Sequence, residues 1–107
     1  MDWKVLNNNR DFQRVYSRGK SLVTRYFVIY YLPQKLGYHR IGFTVSRKIG
    51  GAVVRNRVRR RLKEMFRLIS PGLPRSADIV IVARGQAKAG NFAQMKSLME
   101  IKFREIS

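Results

Sequence analysis

Between Gly50 and Pro71 runs a segment that can fold only as a long helix whose two sides need opposite surroundings. Gly50 and Gly51 interrupt the chain before it, and Pro71, Gly72 and Pro74 stop it, which predicts a helix over roughly 53–69. At ~100° per residue, Val54, Val58, Leu62, Met65, Phe66, Leu68 and Ile69 fall within an arc of roughly 160°. Asn56, Arg59, Arg60, Lys63 and Arg67 cluster on the other side. Such a helix has to lay its apolar stripe on another layer and leave the cationic one open.

The cationic side is costly for a helix standing alone. Arg55/Arg59, Arg59/Lys63 and Lys63/Arg67 are like-charge pairs at i,i+4, each unfavourable by ~0.2–0.5 kcal/mol. Only Arg60/Glu64 has the favourable sign at that spacing. Arg55 and Arg57 fall in the expected first turn, where the helix dipole disfavours cations by ~0.3–1 kcal/mol. A bound phosphate reverses that sign, because backbone N–H groups and arginine forks then converge on one anion. The plain alternative is a solvated amphipathic helix in which arginine is simply a good helix former. Gly50-Gly51 lacks the Gly-Lys-Ser/Thr ending of a nucleotide-binding loop, and reads either as a hinge or as room for backbone amides to approach a phosphate.

The whole chain shares this bias. Twenty-three Lys and Arg against six Asp and Glu give a net charge of +17 on 107 residues. That much charge of one sign repels itself in the folded state, so an anionic partner is expected: nucleic acid first, an anionic membrane surface second. With 45% hydrophobic residues the chain has material for one core, and a single domain over 1–107 is expected. No apolar run reaches the ~18 residues of a membrane span, so no spanning segment is expected; with nucleic acid as the leading partner no membrane is expected either, and the cytoplasm is the default. Cysteine is absent, which excludes disulfides and thiolate metal sites.

Around the basic segment the elements alternate. Asn9 is the expected cap of a first helix ending near Gly19, with Phe12, Val15 and Tyr16 at helical spacing. Residues 21–24 suggest a short strand, 26–32 and 39–46 two longer ones, and the turn between them makes an antiparallel pair the expectation. Residues 78–83 are nearly all apolar and suit a buried central strand. Asn91 is the expected cap of a closing helix carrying Phe92, Met95, Leu98, Met99 and Phe103. The pattern is an α+β sandwich.

In the first long strand Tyr26, Val28, Tyr30 and Leu32 share one face, and Phe27, Ile29 and Tyr31 the other. Core packing accounts for the second set. Tyr30 reads equally as a core residue and as a platform on which a base stacks, an interaction contributing ~1–3 kcal/mol. No self-contained catalytic site is visible. The acids Asp2, Asp11, Glu64, Asp78, Glu100 and Glu105 are scattered, and the lone His39 excludes a two-histidine mechanism and reads as capping or flanking a strand. Trp3, near a loose terminus, reads as a packing residue.

The stretch from Arg40 through Ser46-Arg47-Lys48 and Arg55-Asn56-Arg57 to Arg59-Arg60 and Arg67 closely resembles the bacterial ribonuclease P protein family. Asp11-Phe12 with Tyr16 and Gly19, Phe27 to Tyr30, and Asp78 to Arg84 extend the resemblance over nearly the whole chain. It implies an α-β sandwich in the order αβββαβα, with a left-handed βαβ crossover through the basic helix. It implies that Arg55, Asn56, Arg57, Arg59, Arg60, Lys63 and Arg67 hold the catalytic RNA of ribonuclease P. It places the 5′ leader of precursor tRNA in a cleft formed by Phe12, Tyr16, Val28, Tyr30, Thr44, Lys48 and Arg84. The chemistry would belong to the RNA, with Mg²⁺ held mainly by RNA and substrate oxygens, and no obligate protein partner is implied. Tyr16 stands where phenylalanine is frequent, Gly51 where asparagine is frequent, and Arg61 where the family is usually apolar, so Arg61 has to snorkel or meet RNA. A structural RNA-binding protein and a self-sufficient nuclease are the competing classes. The first leaves the aromatic cleft unexplained, and the second lacks a carboxylate cluster.

Overall fold

The computed structural model describes residues 3–106. Its elements are β1 (Trp3–Val5), α1 (Asn9–Arg18), β2 (Lys20–Val23), β3 (Phe27–Pro33), β4 (His39–Thr44), α2 (Ala52–Ile69), β5 (Ala77–Ala83) and α3 (Phe92–Ile106), with single 3-10 turns at Arg47–Ile49, Ser70–Gly72 and Gly85–Lys88. The expected αβββαβα order is present, preceded by one additional strand. β1 pairs in parallel with β4, Trp3 opposite His39, and Trp3 packs edge-on against Phe66 at 5.9 Å.

All five strands form one sheet in the order β1-β4-β5-β3-β2. The expected pairing of β3 with β4 is not found: β5 lies between them, antiparallel to β3 and parallel to β4. The physical reason is burial. Ile79 and Ile81 are covered on one side of β5 and Val80 on the other, so this strand requires neighbours at both edges and layers on both faces. β4 and β5 are thus adjacent parallel strands joined through α2, the βαβ unit that the resemblance implies.

The main core fills one face of the sheet. Phe27, Ile29, Tyr31, Ile41, Ile79 and Ile81 meet Val58, Leu62, Met65 and Phe66 of α2, and Met95, Met99 and Phe103 of α3. α1 covers part of the opposite face through a smaller cluster of Leu6, Val15 and Val80. Several local expectations shift. Asn8, not Asn9, caps α1, its Oδ1 accepting the Arg10 N–H at 2.8 Å. Tyr26 lies in the turn before β3 and packs on the main core rather than sharing a face with Tyr30. Leu68, at the margin of the apolar arc, remains 45% exposed. Because α2 starts at Ala52, Arg55 closes its first turn and Arg57 falls in the second. Glu64 pairs with Arg67 rather than Arg60, held by a two-pronged fork at 2.6 and 2.9 Å. Arg61 snorkels, donating to the Gly90 carbonyl at 2.6 Å.

His39, the first residue of β4, is wholly buried, and its Nδ1 accepts the Ala77 N–H at 3.2 Å. Burial pushes its pKa below the ordinary 6.5. A base that stays neutral in the fold but charges in the unfolded chain makes stability fall as pH drops through about 6.5. The melting temperature should therefore start to decline below about pH 6.5, and His39→Gln should remove that part of the slope.

Candidate nucleic-acid interface

Two surfaces gather the residues singled out in the sequence, and they lie on opposite sides of the sheet. The first is the outer side of α2. Asn56, Arg57, Arg60, Lys63 and Arg67 are exposed, and Arg55 and Arg59 are half-buried. Among the described residues only Arg67 of this set has a carboxylate partner, Glu64, whose carboxyl its fork holds below the usual range. Arg59 instead donates to Asn56 Oδ1 at 2.9 Å, and Arg57 makes only a long 3.5 Å contact with the Lys88 carbonyl. Lys63 sits 5.8 Å from the centre of the Trp3 ring. The Nε of Arg55 is buried without a hydrogen-bond partner. No side chain caps the start of α2 at Gly51, so its first N–H groups are open. This surface therefore combines exposed cations with unused donors, the combination that takes phosphates.

Val53 projects from the same region, 81% exposed, and with Asn56, Arg59 and Arg60 lines a shallow depression. An apolar side chain in full water is not explained by the core, and the sequence offered no sign of it beyond its place outside the apolar arc.

The second surface is the sheet face that carries α1. Three cross-strand rows follow from the register: Arg40–Asp78–Leu32, then Gly42–Val80–Tyr30, then Thr44–Val82–Val28. α1 lies over the middle row. Glycine at 42 permits this approach, since a Cβ there would collide with the Phe12 ring. Tyr16 reaches over the third row: its ring meets Tyr30 edge-on at 4.9 Å and its hydroxyl lies 3.2 Å from Thr44 Oγ1. Phe12 lies 6.3 Å from Tyr16. Beyond this aromatic wall the third row is only partly covered, and Val23, paired with Val28 at the sheet edge, is 61% exposed.

Phe12, Tyr16, Val28, Tyr30 and Thr44 are thus brought together as one trough. Arg84 follows Val82 at its end, exposed, with one Nη donating to the Thr24 carbonyl at 2.8 Å. Lys48 stands exposed in the turn after β4. The sequence reading missed Val82. Alternation from Asp78 through Val80 places it on this face, a signal present in the residues.

The other flank of α1 is charged. Asp78, 1% exposed on the central strand, accepts from Arg14 at 2.9 Å, from Arg40 at 2.6 and 2.8 Å, and from Gln34 at 3.2 Å. Burial alone would raise its pKa, but the bonds from Arg40 and Arg14 outweigh this and hold the carboxyl below its ordinary range. Asp2 lies outside the described residues. Among the described residues no three His, Asp or Glu side chains converge to hold a metal ion. Asp11 and Asp78, the acids that do approach one another, are already neutralised by arginine.

Residues 3–107 match the Ribonuclease P family model. The ribonuclease P protein component of Caldanaerobacter subterraneus subsp. tengcongensis is 45% identical over 95 residues, which cover 89% of this chain and 82% of that one. The solved RNase P protein of Staphylococcus aureus superposes with a TM-score of 0.84 at 33% identity, over 96% of this chain and 94% of that one. That of Thermotoga maritima gives 0.81 at 32% identity, over 92% and 94%.

Proposed function

Because the chain belongs to the ribonuclease P protein family, we propose that it is the protein subunit of a ribonucleoprotein that removes the 5′ leader of precursor tRNA. The catalytic RNA would lie against α2 and the single-stranded leader in the trough beside α1. The observation that carries this assignment is the pairing of two unlike surfaces on one sheet: a cation stripe nearly free of internal partners, and a half-open aromatic row. Duplex and folded RNA are gripped chiefly through phosphates and shape, whereas unpaired nucleotides are held by stacking. A ribosomal-type RNA binder would need only the first surface.

Catalytic groups would then be supplied by the RNA, with Mg²⁺ on RNA and substrate oxygens. The protein's part is electrostatic and positional: it neutralises phosphates along α2 and orients the leader with Phe12, Tyr16, Val28, Tyr30 and Thr44, while Lys48 and Arg84 meet leader phosphates. No described helix is long and apolar enough to cross a membrane. The expected place of work is the cytoplasm, and no further protein partner is required.

Reconstitution tests the assignment. Specific cleavage at the tRNA 5′ end should appear with protein and cognate RNA together, and not with the protein and Mg²⁺ alone. Within that system Tyr30→Ala should weaken binding of precursor tRNA about tenfold, the contribution of roughly one stacked base, and leave mature tRNA nearly unaffected. Equal weakening of both would remove the leader from this surface.

A further inference from the structure

Of the described residues of α1, only Val15 is wholly buried, so the small apolar cluster beneath the helix is a narrow seat. At ~100° per residue, Val15 forms a keel, with Asp11 and Arg14 centred roughly 70° to one side and Phe12 and Tyr16 roughly 80° to the other. A helix resting on a keel can roll, and rolling moves its two flanks in opposite senses. What opposes the roll is a closed ring of alternating charges: Asp11 to Arg14 at 3.2 Å, Arg14 to Asp78 at 2.9 Å, Asp78 to Arg40 at 2.6 Å, and Arg40 to Asp11 at 3.3 Å. Two members come from α1 and two from the sheet. The sheet members are firmly placed, because Asp78 sits on the central strand and Arg40 is opposite it in register.

We propose that Asp11 and Arg14 are positioning residues for leader binding, which fix the roll of α1 through this ring and thereby set the aromatic wall of the trough on the opposite flank. They touch no leader themselves, because the row they cover, Arg40–Asp78–Leu32, is separated from the open row by the one beneath α1. The Phe12 ring resting on Gly42 limits the approach of the helix, and the ring of charges limits its rotation. With both in place, the Tyr16 ring stands edge-on to Tyr30 before any nucleotide arrives. The ordering of that wall is then already present in the free protein, which raises affinity by lowering what binding must organise.

The inference rests on the leader assignment above, and the experiment separates the two. In reconstituted holoenzyme, Asp11→Asn with Arg14→Gln removes the α1 half of the ring and leaves the Arg40–Asp78 pair intact. Affinity for catalytic RNA and for mature tRNA should stay at wild-type values, while the preference for precursor over mature tRNA falls about tenfold, comparable to the loss of one stacked base. A ring that only stabilised the fold would lower the melting temperature without splitting precursor from mature tRNA. Wild-type preference in the double variant, alongside a lost preference in Tyr30→Ala, would overturn the positioning role alone. Wild-type preference in both would overturn the leader assignment and this inference together. If the double variant fails to fold, Arg14→Gln alone replaces it, with an expected loss of about threefold and the same overturning result.

Discussion

Reversing charge at Arg57 and Arg60 together is expected to weaken binding of the catalytic RNA by more than about a hundredfold at moderate salt, with the fold unchanged. Both side chains are exposed, and among the described residues neither meets a carboxylate. Each charge-assisted bond to a phosphate contributes ~1.5–3 kcal/mol, and ~1.4 kcal/mol is a factor of ten, so two lost bonds reach that range before repulsion is added. Thermal unfolding should be unaffected or slightly improved, because two members of a crowded cation set are gone. Binding measured across a salt series checks the mechanism as well as the size: the salt dependence should flatten by roughly one unit of log–log slope for each phosphate contact removed. Wild-type affinity in this variant would refute the assignment of α2.

The largest effect on stability is expected at Asp78. Replacing it with alanine leaves Arg14 and Arg40 facing each other beside the sheet with only the less buried Asp11 as a shared anion. Removing one partner of a buried pair costs ~3–5 kcal/mol. The lower end applies here, since both guanidinium groups are part-exposed and can turn toward water. About 3 kcal/mol in a domain of this size lowers the melting temperature by roughly 12–24 °C. The sign with pH follows from the depressed carboxyl. Its stabilisation is complete above the ordinary aspartate value of 3.8 and is lost as pH falls through the lower value it has in the fold. Wild type and Asp78→Ala should therefore converge in stability only in strong acid, below about pH 3.8; convergence at neutral pH would show that the network contributes little.

The parts of this architecture that sequence reveals are those in which one residue pattern decides alone. α2 is legible because Gly50-Gly51, a 3.6-residue apolar period and Pro71 agree. Its cation stripe is legible because arginine crowding at i,i+4 has no benefit within the helix itself. Sheet order is different. Strands 27–33 and 39–44 look like neighbours, since consecutive strands usually pair, and nothing local to them announces that β5 will intervene. The clue stood elsewhere, in a run apolar on both faces that needed two neighbours. The trough was half visible: strand parity put Val28 and Tyr30 on one face, but Thr44, Lys48 and Arg84 came only from family likeness. The charge ring was beyond reach, because its α1 and sheet members lie 26 or more positions apart along the chain.

That β5 holds β3 and β4 apart has a bearing on how the molecule is made. A nascent chain ending before residue 77 can join β1 to β4 in parallel and β2 to β3 as a hairpin, but it has no strand with which to connect the two pairs. The apolar side of α2 then leaves the ribosome before the strand that completes its seat. Closure must await the synthesis of Ala77–Ala83, so this long-range pairing defers folding until β5 has been made.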